Sequence, residues 1–322
     1  MHKAIIFIDK YSDYLEASNL FSKEPSIVEA TIIYREDERN DFVSMETAFT
    51  SANPWVHFHY EGFSCRKDSF TYFSQNIVNL KKGDIVAAPF IRYFNLWKQI
   101  GTLRKANITT VHLSECFTDA FGLCGYRLAY RSGETFMDKA KSFLSILYFV
   151  PFALKNKPDI CYYPLCPKVR NPFVRNNCIA QMPTLSNYKK EFFEKTCGNT
   201  KRKLLIAGSG YDIQKMVLFY NIDKYIATSK RKEIIIDGIR YDLQERICAE
   251  EVLASGKIDA ICGYNSSVMA WAKTHFPNIA IDCFEAKMLN KQYGFLYGYL
   301  CKKIASKLGF SIQNECKEML QE

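Results

Sequence analysis

Short apolar runs recur along the chain, each separated from the next by a stretch with helical spacing. That alternation constrains the fold more than any other feature. Ala4–Ile8, Glu29–Tyr34, Asp84–Pro89 and Ile108–Leu113 read as strands, with helical spacing over Tyr14–Ser22 and Ile91–Leu103 between them. Runs this short and this continuously apolar suit strands covered on both faces, which is the habit of parallel sheets flanked by helices. The pattern restarts at Lys201, where Lys-Arg-Lys-Leu-Leu-Ile-Ala-Gly-Ser-Gly210 opens a strand that runs into a glycine turn. Tyr225–Ala227, Ile234–Ile236, Ile258–Cys262 and Ile279–Cys283 are the next strand candidates, with helices expected at Ala249–Ala254, Ser266–Thr274 and from about Lys287 onward. The expected class is therefore α/β.

Between the two series the character changes. Six of the ten prolines fall between Pro151 and Pro183, a density that defeats long regular elements and marks a connector. With 322 residues to distribute, the chain is expected to form two domains, 1–185 with the Pro-rich connector and 186–322 with terminal helices.

Several classes are excluded by what is missing. The opening apolar run stops at Asp9, too soon for a signal peptide, and the longest run, Phe143 to Leu154, contains Pro151 and falls short of a spanning helix. An ordinary buried helix is the expected use of that run; the alternative is a membrane interface. The twelve cysteines are scattered with no Cys-x-x-Cys, and the five histidines complete no zinc pattern, so reduced buried thiols and no metal are expected, with a cytoplasmic location. No nucleic-acid-binding motif accompanies the net charge of +9, whose short basic clusters better suit anionic donors or the inner membrane surface.

Three strand ends could carry chemistry, because open α/β sheets bind ligands there. After Ile108–Val111 come Glu115 and Asp119, either of which could take a proton from an attacking hydroxyl or merely cap a helix. After Ile258–Cys262 a glycine turn at Gly263 leads to Ser266 and Ser267, placed to bind a phosphate at a helix N-terminus or simply to cap it. The third, around Gly208 and Gly210, lacks the spacing of a dinucleotide or P-loop fingerprint.

The first two stretches carry a resemblance. His112-Leu-Ser-Glu-Cys-Phe-Thr-Asp-Ala-Phe-Gly122 resembles the acidic site of bacterial GT-B sialyltransferases, the lipooligosaccharide sialyltransferases and polysialyltransferases. Arg246-Ile-Cys-Ala-Glu-Glu-Val-Leu253 and Ile258-Asp-Ala-Ile-Cys-Gly-Tyr-Asn-Ser-Ser-Val268 are similar to the segments with which that family holds a CMP leaving group. The likeness covers about 108–130 and 246–285. It implies two Rossmann-like domains facing across a cleft and inverting transfer of an acidic sugar from a CMP-activated donor to a bacterial surface glycan. Lipooligosaccharide or capsule polysaccharide biosynthesis would be the setting, on a free or lipid-linked glycan acceptor and with no cofactor; peripheral contact at the inner membrane is an expectation from the basic charge alone.

The same resemblance assigns roles. Glu115 would be the general base, Ser266 and Ser267 would bind the donor phosphate, and Gly263 and Glu250 would flank the cytidine. Apart from the resemblance, Lys230 or Arg231 could add positive charge for the phosphate, and the turn at Gly208 and Gly210 is a further candidate for lining the nucleotide. Ser114 and Cys116 depart from the acidic motif, and the family's His-Pro is missing near Tyr225–Glu233, while His275-Phe-Pro277 comes too late in the chain to replace it. Those departures keep two alternatives in play: another nucleotide-sugar donor, or a non-catalytic relative that binds nucleotide sugar or glycan.

Overall fold

A computed structural model of the chain describes residues 1–9, 11–36, 46, 49–114, 135–185, 187–207, 233–236, 239–240, 249–264, 266–284 and 295–313. The chain divides into two compact units, one of 1–126 with 144–181, the other of 127–143 with 182–322.

The first unit is built on a seven-stranded sheet in the order β3-β2-β1-β4-β5-β6-β7. Its strands are β1 (His2–Ile8), β2 (Ile27–Arg35), β3 (His57–Phe63), β4 (Ile85–Ala88), β5 (Thr109–His112), β6 (Ile160–Tyr163) and β7 (Asn176–Ile179), and every neighbouring pair is parallel. Helices α1 (Tyr11–Lys23), α2 (Arg66–Asn76) and α3 (Phe94–Lys105) cross over between strands. Growth of the sheet reverses direction between β1 and β4, which makes that gap the topological switch point.

Burial explains why the short runs became central strands. All four residues of β4 and five of the seven in β1 are buried. Side chains alternate across a strand, so Ile5 and Phe7 share one face, where they meet Phe73 of α2 and Trp97, Ile100 and Leu103 of α3. Phe7 also stands edge-on to Tyr93, with ring centroids 5.4 Å apart.

The amino-terminal edge of this sheet is closed by two aspartates. Asp84 accepts hydrogen bonds from the backbone amides of Lys3 (2.9 Å) and Lys81 (2.8 Å), tying the start of β1 to the turn before β4. Asp159, just before β6, accepts from the amide and hydroxyl of Thr110 in β5 at 3.0 and 2.7 Å.

The second unit holds a six-stranded sheet, β10-β9-β8-β11-β12-β13. Strands β8 (Arg202–Ala207), β11 (Ile258–Tyr264), β12 (Ala280–Phe284) and β13 (Ile312–Gln313) run parallel, while β9 (Glu233–Ile236) is antiparallel to β8 and to β10 (Ile239–Arg240). Its helices are α5 (Asn187–Cys197), α6 (Ala249–Ala254), α7 (Ser267–His275) and α8 (Phe295–Leu308). Lys189 of α5 pairs with the buried Glu251 of α6 at 2.6 Å.

Three expectations need correction. The Pro-rich stretch is no bare connector: β6 and β7 lie inside it, because four-residue strands fit between the flanking prolines at 158, 164, 172 and 183. The apolar run at 143–154 belongs to a helix, α4 (Phe136–Lys155), with Leu144, Leu147, Tyr148 and Leu154 exposed rather than buried. The third concerns the strand before Ser266, which does not turn at Gly263. Ladders on both sides hold Gly263 opposite Cys283 and Ile206, so β11 runs on to Tyr264. Eight cysteines fall among the described residues; all are free thiols and six are buried. No helix among the described residues is long and apolar enough to cross a membrane.

Candidate functional site

In the second unit, three of the expected donor residues come together. Strand β11 delivers the chain to Ser266, which occupies the N-cap of α7 with extended backbone (φ −131°, ψ 150°) and makes no side-chain capping bond. The first turn of α7 carries no acidic residue, and Ser266 is almost fully buried. Uncapped first-turn amides, aligned with the positive end of the helix dipole, favour an anion. Ser267 Oγ donates to Glu250 Oε1 at 3.3 Å, which joins α6 to the start of α7 across seventeen residues of sequence. Gly263 lies three residues upstream in β11. This junction stands at the carboxyl end of a parallel strand, the side on which open α/β sheets bind ligands.

His275 closes the same helix at its other end, about 12 Å from the Ser267 end at 1.5 Å per residue. It stacks on Trp271 with centroids 5.4 Å apart, and burial holds its pKa below the ordinary histidine value. Helix geometry therefore agrees with sequence position in keeping His275 away from Ser266 and Ser267. A cleft of about 310 Å³, lined by Leu185, Lys190, Phe193, Glu194, Ser255 and Lys257 among others, opens at the amino end of β11 and is likewise remote from the serines.

Glu115 and Asp119, Lys230 and Arg231, and Gly208 and Gly210 lie outside the described residues. The last described residue before Glu115 is Ser114, buried two positions past the end of β5 on the carboxyl edge of the first sheet.

That same edge holds a charged network which sequence reading missed. Asp9 follows β1, Arg35 ends β2, Arg66 opens α2 after β3, and Arg92 follows β4. Asp9 Oδ1 accepts from Arg35 at 2.8 Å, and Oδ2 accepts from Arg66 at 2.9 Å and Arg92 at 3.3 Å. Arg92 also pairs with Asp13, whose other oxygen accepts the Asp9 amide at 2.9 Å. The Arg66 guanidinium sits 5.2 Å above the Tyr93 ring. The side chain of Asp9 is 4% exposed and that of Arg92 8%, against 59% for Arg66.

Burial alone would raise the pKa of Asp9. Arg92, the Tyr93 hydroxyl, Arg66 and Arg35 together outweigh it and hold the carboxyl below its ordinary value. Burial and the neighbouring Asp9 charge push the Tyr93 phenol well up. The network sits at the switch point between β1 and β4. Its partners are separated by 26, 57 and 83 residues, and only the strand order brings them together. Among the described residues, no group of three His, Cys, Asp or Glu side chains is placed to hold a metal ion.

No family model and no curated protein matches the chain. Among solved structures, it is similar to an α/β-galactoside α-2,3-sialyltransferase from the luminous marine bacterium Photobacterium phosphoreum, with 14% identity, a TM-score of 0.49, and coverage of 97% of this chain and 98% of that one.

Proposed function

We propose that the chain is a glycosyltransferase of the sialyltransferase-like kind, transferring an acidic sugar from a CMP-activated donor to a glycan hydroxyl with inversion. One observation carries the reading: Ser266, Ser267 and Glu250, which the sequence resemblance assigns to the donor, converge on an uncapped helix N-terminus at the carboxyl end of β11. The GT-B-like pairing of two Rossmann-like domains, divided at 185/186, belongs to the same reading.

In this reaction the acceptor oxygen attacks the anomeric carbon as the carbon–oxygen bond to the CMP phosphate breaks. Glu115 takes the hydroxyl proton; Asp119 is the other candidate in the same stretch. The α7 amides, the two serine hydroxyls and Lys230 or Arg231 share the phosphate charge. Ser267 cannot donate one proton to both Glu250 and a phosphate. Donor binding therefore exchanges the Ser267–Glu250 bond for one to phosphate and frees Glu250 to accept from a ribose hydroxyl. Gly208, Gly210 and Gly263 line the nucleotide on this reading.

The test is calorimetric titration with CMP beside UMP, GDP and ADP, on the parent chain and on Ser266→Ala/Ser267→Ala. Selective CMP binding, weakened at least tenfold by the double substitution as the loss of two phosphate hydrogen bonds requires, supports the reading. Preference for another nucleotide moves the donor, and binding of none removes the assignment. Glu115→Gln should then abolish turnover and leave CMP affinity intact; retained turnover transfers the base role to Asp119.

A further inference from the structure

From Leu144 onward helix α4 belongs to the first unit, and its described side chains there differ sharply in burial from one side of the helix to the other. At 100° per residue, Leu144, Leu147, Tyr148, Pro151, Leu154 and Lys155 fall within an arc of about 120°. Ala153, on the opposite side, is fully buried against the core with Phe152 packing beside it. The four large apolar residues of the arc are 64%, 58%, 71% and 50% exposed in sequence order. A helix that leaves a face of this kind in water is normally covered by something.

The chemistry at the end of that face says what covers it. Arg104 donates to the carbonyls of Lys155 and Lys157, which brings the last turn of α3 against the last turn of α4. Lys105, Lys155 and Arg175 are all exposed there. Asp159 is the acid among them, 3.7 Å from both Arg104 and Arg175. Burial and then the Arg175 charge hold Arg104 below its ordinary pKa, and Asp159 offsets this only in part. A band of cations in excess of its acid thus adjoins the apolar stripe, within one unit and on a chain of net charge +9.

We infer that this surface lies on an anionic lipid bilayer, with Leu144, Leu147, Tyr148 and Leu154 entering the interface and the Arg104–Arg175 band meeting lipid phosphates. An apolar stripe with basic residues beside it is the composition of helices that rest in the plane of the headgroups. The helix does not cross the bilayer, because no helix among the described residues has the length and hydropathy to span one. The inference does not depend on the donor chemistry and stands or falls without it.

Co-sedimentation of the full chain with vesicles tests it. The chain is expected to pellet with vesicles of equal parts phosphatidylglycerol and phosphatidylcholine, to pellet poorly with phosphatidylcholine alone, and to be released by salt. Leu147→Ser/Tyr148→Ser should cut partitioning at least tenfold, since each side chain loses most of its transfer into the interface. Lys105→Ala/Lys155→Ala should cut it about fivefold for each cation removed. All four positions are exposed, so both variants should keep the parent melting profile by circular dichroism. Equal binding to neutral and anionic vesicles, no binding at low salt, or binding unchanged in the apolar variant would overturn the inference. So would a concentration-dependent dimer that the same apolar variant abolishes, since the face would then belong to a second copy of the chain.

Discussion

The Asp9 network offers a sharp energetic test, because its members differ so much in exposure. Asp9→Asn keeps the side-chain shape and removes the charge. Three arginines lose their shared partner, and Arg92, 8% exposed, keeps its pairing with Asp13. Breaking a buried ion pair from one side leaves the other charge desolvated; with Asp13 still beside Arg92 that charge is compensated in part, so the cost is about 3 kcal/mol, the lower end for such pairs. For a unit of this size that corresponds to a fall in melting temperature of roughly 6–12 °C. Arg66→Ala removes a partner of the same carboxylate from the exposed side and should cost less than about 1 kcal/mol, because water screens and replaces it. The acid limb adds a sign. Asp9 has a depressed folded pKa, so its contribution is complete above the ordinary carboxylate range and is lost as pH falls through the folded value. The parent chain should therefore lose stability in acid faster than Asp9→Asn does. Scanning calorimetry of the full chain and both variants, repeated from neutral to acidic pH, reads all of this. If Asp9→Asn melts within about 2 °C of the parent, or Arg66→Ala costs as much as Asp9→Asn, the network is not held by its buried members and the reasoning fails.

Gly83→Ala should destabilise by about 1–2 kcal/mol in a denaturant melt, since Gly83 has φ +92° and an added Cβ would stand 2.5 Å from the His2 ring. His275 has a depressed folded pKa, so stability should be full above the ordinary value of 6.5 and decline as pH falls below it; His275→Phe should flatten that decline in pH-dependent melts. Alkylation mapped by mass spectrometry should modify the exposed Cys65 first among the described thiols. Cys283, whose thiol burial pushes far up, should stay unmodified until the chain unfolds.

The central strands β1 and β4 were legible because double burial writes itself as an uninterrupted apolar run; β5, β11 and β12 showed as shorter apolar or β-branched stretches broken by a polar residue. Strand β3 does not. His57-Phe-His-Tyr-Glu-Gly-Phe63 lies at the sheet edge with a mostly exposed, mixed face, and its periodicity is too weak to stand out. Strands β6 and β7 were hidden by proline, which forbids long elements but leaves room for four residues. The antiparallel β9 shows another limit: an apolar triplet such as Ile234–Ile236 carries no mark of direction. The serine junction could be read because its parts are close in sequence, Glu250 excepted. The Asp9 network could not, because a lone aspartate after a strand acquires meaning only when crossovers bring three distant arginines to it.

The two edges of the first sheet are fastened differently. At the amino edge, Asp84 and Asp159 bond to backbone amides, groups that every substitution except proline preserves. At the carboxyl edge the Asp9 fastening runs largely from side chain to side chain, and from it the chain departs into the segments after β2 and β5. The amino-edge partners can therefore change identity freely, whereas Asp9, Arg35 and Arg92 can change only together. Comparison of related chains should show Lys3 and Lys81 drifting at one rim while the Asp9–Arg35–Arg92 set at the other is kept or lost as a unit.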